Sequence, residues 1–118
     1  MQSKTVTETD KLIRNKLWCD FEVASFTGSD VVIRGGIDLC YSWELVLTFN
    51  QVAGYFGAFA WQSDTSAVVF DMPVGDELLA LNLRYDVEMG YQIYRFTPEY
   101  HSQPIIIIAQ GMSCKRVG

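Results

Sequence analysis

The sequence predicts an α+β fold, a single compact domain over 1–118 with one mainly antiparallel or mixed sheet of about six to eight strands and one or two short helices. Three observations carry this. Residues 43–49 alternate apolar and mixed positions with a period of two. The run Ile105-Ile106-Ile107-Ile108-Ala109 is β-branched and can face water on neither side, so it reads as a central strand covered on both faces. The N-terminal segment has helical rather than strand spacing. A chain of 118 residues buries about 65% of its unfolded surface without help from a metal or a disulfide. Its 49% hydrophobic and 14% aromatic content is that of a globular, strand-rich core.

The elements follow in order. Residues 1–8 are expected to fray, as is the tail 115–118. Thr7 and Asp10 have capping-box spacing, with Asp in place of the usual Glu, and Leu12, Ile13, Lys16 and Leu17 then fall on one side of a helix ending near Trp18. Asp20-Phe21-Glu22-Val23 opens a first strand, Thr27-Gly28-Ser29-Asp30 is a turn, and Val31-Val32-Ile33 closes the hairpin before Gly35-Gly36. In Ser42–Phe49 the side chains of Trp43, Leu45, Leu47 and Phe49 share one face, and Glu44, Val46 and Thr48 share the wet one. Gly54 and Gly57 interrupt the aromatic run that follows and predict a bulge or bend. Gln62–Ser66 is a polar turn, and Ala67–Phe70 is a strand stopped by Met72-Pro73.

The segment 76–89 satisfies two periods at once. Leu79, Leu81, Leu83, Tyr85, Val87 and Met89 alternate as a strand would, and this reading is slightly preferred. Leu78, Leu81 and Tyr85 also fit a helix, as do Leu79 and Leu83, with Asp76 and Glu77 where a helix N-terminus favours carboxylates. After Gly90, Tyr91–Phe96 is a strand and Thr97–Pro104 a loop. The second face of the isoleucine strand needs a cover, and the N-terminal helix is the expected one.

Charge is the main functional signal. Between Leu17 and Ser113, 12 acidic residues face only Arg34, Arg84 and Arg95, a formal −9 within an overall −5. That field disfavours nucleic acid and anionic membrane and favours a basic protein partner, although carboxylates placed for solubility would give the same count. The polar N-terminus has no apolar h-region, so the expected location is cytoplasmic, with no membrane span.

Chemistry-bearing motifs are sparse. Cys19, Cys40 and Cys114 form no C-x-x-C pair and read as buried or half-buried thiols, the alternative being a dyad of one of them with the lone His101. The glycines match neither G-x-G-x-x-G nor a P-loop, Ser42, Ser63 and Ser66 lack a nucleophile-elbow context, and no D-x-D-x-D-G loop occurs. The expectation is therefore no catalytic residues, no metal site, no cofactor and no enzyme activity. Of the rings in Tyr55-Phe56-x-x-Phe59-x-Trp61, most belong to the core and about two are expected to be exposed. Trp61, beside the polar turn, is the expected exposed anchor, with carboxylates at Asp64, Asp71, Asp76 and Glu77 around it.

Two stretches, YSWELVLTFNQVAGYFGAFAW (41–61) and ELLALNLRYDVEMGYQIYRFTPEY (77–100), resemble in their layout small bacterial proteins, among them immunity proteins that accompany polymorphic or contact-dependent toxins. The resemblance spans about two thirds of the chain and rests on arrangement, not on a shared motif. It implies a β-rich domain that neutralises one toxin by binding it, and in its helix-containing layouts 77–85 is helical. The expected function is therefore a non-enzymatic inhibitor of a basic toxin, such as a nuclease. Two other readings stand beside it: a ligand-binding domain or weak enzyme with a pocket of Tyr55, Tyr91 and Tyr94, and a homodimer or other homo-oligomer joined through the aromatic stretch.

Overall fold

A computed structural model describes residues 3–39, 43–101 and 103–117. Cys40 and Ser42 lie outside them, as do Ser102 and the terminal residues 1–2 and 118. The chain order is α1 (Lys4–Arg14), β1 (Cys19–Thr27), β2 (Asp30–Gly36), β3 (Leu45–Phe56), β4 (Ala60–Ser63), β5 (Phe70–Asp71), α2 (Gly75–Tyr85), β6 (Gln92–Phe96) and β7 (Ile105–Arg116). The seven strands form one sheet in the order β4-β1-β2-β3-β7-β6-β5, with every neighbouring pair antiparallel. This is the α+β architecture the sequence predicts.

The sheet curls until its two ends meet. Ser63 on β4 donates to the carbonyl of Thr97 at 3.0 Å, and the Glu99 amide donates to the Gln62 carbonyl at 2.7 Å. Such curling needs bends, and β3 supplies one. Gln51 takes a left-handed φ of 51°. Its amide donates to Asp30 Oδ1 at 3.2 Å, the register shifts between Val52 and Gly54, and the strand turns a corner there. Inside the curl, Phe21, Phe49, Trp61, Phe70, Tyr94 and Phe96 pack ring against ring, with the Leu45, Leu47, Ile105 and Ile107 side chains around them.

Helix α1 closes the open side of this core. Its cap lies four residues before the one predicted at Thr7: Ser3 is the N-cap, and its hydroxyl accepts from the Val6 amide at 3.1 Å. It ends at Arg14, short of Trp18. Val6 and Ile13 enter the main core, so the segment 4–8 is helical where fraying was expected. Residues 115–116 are likewise paired, opposite Val46 and Leu45, and Val117 donates to the Glu44 carbonyl at 2.9 Å.

Other expectations are corrected. The strand predicted over 67–70 shrinks to Phe70–Asp71, because the amides of Val69 and Phe70 both donate to the Asp10 carboxylate of α1. Trp43 precedes β3 instead of sharing its buried face, and lies under the Arg34 guanidinium at 4.5 Å. Glu44 holds the chain there by accepting from the Ile37 amide and from Lys16 Nζ, both at 3.0 Å. Those two donors hold the Glu44 carboxyl below its ordinary value, the backbone amide being the larger cause.

The segment 76–89 resolves as helix. Gly75, at φ +60°, turns the chain out of β5, and Asp86, at φ 54°, ends α2 in the left-handed conformation with its amide donating to the Asn82 carbonyl. The deciding factor is tertiary. Ile93, Ile106 and Ile108 on the convex face of the sheet need an apolar cover, and Leu78, Leu81 and Tyr85 supply it only at helical spacing. The isoleucine strand is covered on both faces, as predicted. Its outer cover, however, is α2, while α1 packs against the inner core.

Candidate functional site

Once Leu78, Leu81 and Tyr85 turn inward, the opposite side of α2 faces solvent. Asp76, Leu79 and Leu83 recur at spacings of three and four, which sets them along one side of the helix, and Asp86 follows them at its C-cap. Leu79 is 59% exposed and Leu83 76%, an apolar ridge with a carboxylate at each end. The ends lie about 15 Å apart at the helical rise of 1.5 Å per residue. Val74 and Met89 prolong the exposed apolar surface at either end. Asp76, Asp86 and the neighbouring Glu88 form no ion pair among the described residues. The exposed cation on this helix, Arg84, lies 5.3 Å from the Tyr85 ring centre.

The residues singled out from sequence divide sharply. Trp61 is the clearest miss: it is 5% exposed, stacked on Phe21 with ring centres 5.3 Å apart, and edge-on to Phe96. Its Nε1 donor has no partner among the described residues. Trp61 pairs with Phe21 across β1–β4 and faces inward, and the polar turn beside it in sequence begins only where the strand ends. Asp71 and Glu77 meet, but on Arg95. Its guanidinium holds both Asp71 oxygens at 2.9 and 2.8 Å and the Glu77 Oε2 at 2.7 Å. The fork geometry with Asp71 is the main reason that the Arg95 pKa is raised. These two carboxylates are thus already neutralised in part. Asp64 accepts from the Ser66 amide at 2.9 Å within the turn after β4, and that bond lowers its pKa. Only Asp76 of the predicted set belongs to the open face of α2. Leu79, Leu83 and Asp86 complete it, and the helical reading of 76–89 was the signal that could have found them.

The predicted tyrosine pocket does not assemble. Tyr94 is buried in the main core against Phe70, and Tyr55 packs at the edge of that core, its hydroxyl donating to the Ala58 carbonyl. Tyr91 lies on the opposite face of the sheet with the α2 cluster. Two rings of the aromatic run are exposed: Phe59, which with Phe26 and Tyr55 forms an edge-and-stack trio, and Phe56, which stacks on Tyr85 at 4.2 Å.

His101 is exposed, and Cys19 is fully buried. Burial pushes the Cys19 thiol up to about 12. The folded protein thus keeps this proton where an unfolded cysteine would ionise. Its contribution to stability is intact below the unfolded value and is lost progressively as pH rises above it. Iodoacetamide at pH 8 should therefore leave Cys19 unmodified in the native protein and label it in urea, as read by peptide mass spectrometry; labelling at equal rates in both states would refute the burial argument.

Among the described residues no group of three or more His, Cys, Asp or Glu is placed to hold a metal ion, and no helix is long and apolar enough to cross a membrane. No family model, no curated protein and no solved structure matches the chain. Fold and surface together define an α+β domain with a curled antiparallel sheet and one open, acid-flanked helix.

Proposed function

We propose that the protein is a non-enzymatic binding domain for a basic protein surface, acting as an inhibitor of the immunity-protein kind toward a basic toxin such as a nuclease. The observation that carries this reading is the outward side of α2, where the exposed Leu79 and Leu83 follow Asp76 and lead to Asp86 at the C-cap, two leucines between carboxylates that form no ion pair among the described residues. Each part has a separate role. Burying one leucine side chain contributes on the order of 1.5–3 kcal/mol, which slows dissociation. The carboxylates add little net affinity at an exposed rim but steer a cationic partner, raising association by roughly 10–1,000-fold at low salt. The rest of the acidic body adds to the same long-range field.

The test uses a basic protein encoded beside this chain, with binding followed by surface plasmon resonance. Asp76→Lys should lower the association rate about three- to tenfold at low salt and flatten its salt dependence, whereas Leu83→Ala should raise the dissociation rate about tenfold. Glu77 is the control: its charge is engaged by Arg95, so Glu77→Gln should change association less than the charge-matched Asp76→Asn. Affinity unchanged between about 50 and 500 mM salt would sink the electrostatic reading.

A further inference from the structure

A cleft of about 280 Å³ lies between the C-terminal end of α2 and the β3–β7 pair. We propose that it receives one cationic side chain of the partner, an arginine or a lysine; this rests on the binding function proposed above. The volume falls just under the roughly 300–1,000 Å³ of sites that enclose a drug-sized ligand, and suits a single long side chain.

The lining selects for charge. Phe56 and Tyr85, stacked at 4.2 Å, and Tyr91 give aromatic surface, and Ile108 contributes apolar wall. Asp86 and Glu88 stand at the same cleft with no ion pair among the described residues. Aromatic rings attract a cation through their faces and pack against its methylene stem, and the carboxylates complete the pairing. A neutral apolar group would cover two carboxylates without pairing them, and an anion would be repelled.

The cleft depends on a glycine. A Cβ at Gly54 would fall 2.7 Å from the Phe56 ring, so the ring reaches Tyr85 only because it crosses bare backbone. Gly54→Ala should displace Phe56 and spoil the site from below.

The experiment is an amide NMR titration of the full chain with N-acetyl-arginine methylamide, its lysine counterpart, and the neutral citrulline isostere. Saturable shifts at Gly54, Val87 and Glu88, with Kd in the millimolar range, are expected for the two cations and not for citrulline. Glu88→Gln should weaken the arginine probe about three- to tenfold and Tyr91→Leu similarly, with Tyr91→Phe retaining binding. Equal shifts from arginine and citrulline, or an unchanged Kd in Glu88→Gln, would overturn the proposal. Failure of the probe with partner binding still steered by Asp76 overturns the cleft and leaves the reading of α2 standing. Probe binding alongside a salt-independent partner overturns both that reading and the assignment of the side chain to a partner, leaving a site for a free organic cation.

Discussion

Replacing Phe96 with alanine should lower the unfolding free energy by about 3–5 kcal/mol, enough to leave a domain of ordinary stability barely folded. Phe96 is fully buried on β6 and touches rings from both ends of the sheet: Trp61 on β4 at 5.1 Å, Phe21 on β1 at 5.2 Å, Phe70 on β5 at 4.5 Å. Removing it opens a void where the curled sheet meets itself, and rigid neighbouring rings cannot collapse to fill it. Phe96→Leu, which keeps most of the volume, should cost about 1.5 kcal/mol or less. Phe59 provides the contrast. It is 63% exposed, and Phe59→Ala should stay within about 0.5 kcal/mol of the parent. Urea unfolding followed by tryptophan fluorescence separates the three variants. A loss below about 1 kcal/mol for Phe96→Ala would mean that β4 and β6 do not pack across the core as described.

Those contacts explain how much of the molecule could be read from the sequence. Strands whose own residues carry a clear local pattern were legible: the β1–β2 hairpin from its turn, β3 from Leu45, Leu47 and Phe49, β7 from its isoleucines. What failed depended on distant partners. Trp61 looks like a surface residue beside Gln62-Ser63-Asp64, and only the closure of the sheet onto Phe96 buries it. The alternation through 79–89 is real, yet the convex isoleucines decide the segment, because they need the side chains at 78, 81 and 85. In the same way the acidic count did not show that Arg95 engages Asp71 and Glu77, or that Lys16 engages Glu44. The net −9 of the body is thus less uniform than its sum, and the carboxylates left without ion partners include the three around α2: Asp76, Asp86 and Glu88.

The second large effect belongs to a carboxylate that plays no part in the proposed binding surface. Asp10→Ala should destabilise the protein by about 2–5 kcal/mol, since it strands two buried backbone donors at once. Asp10 Oδ1 accepts from Val69 and Phe70, each at 2.9 Å, and these are the bonds that fasten α1 to the start of β5. Its other oxygen is 3.8 Å from Arg14, whose guanidinium also reaches the Thr65 and Ser66 carbonyls at 3.5 and 3.3 Å. Asp10→Asn distinguishes the causes. An asparagine oxygen can still accept from both amides, so only the charge-assisted part is lost, about 1 kcal/mol. If stability depended chiefly on the ion pair, Asn and Ala would be equally harmful, and Arg14→Met would match them. If it depends on the two amides, Ala alone is severe and Arg14→Met stays near 1 kcal/mol or below, because that pair is long and half in solvent. Hydrogen exchange at Val69 and Phe70 reads the same contact directly: both amides should be protected in the parent and in Asp10→Asn, and should exchange quickly in Asp10→Ala.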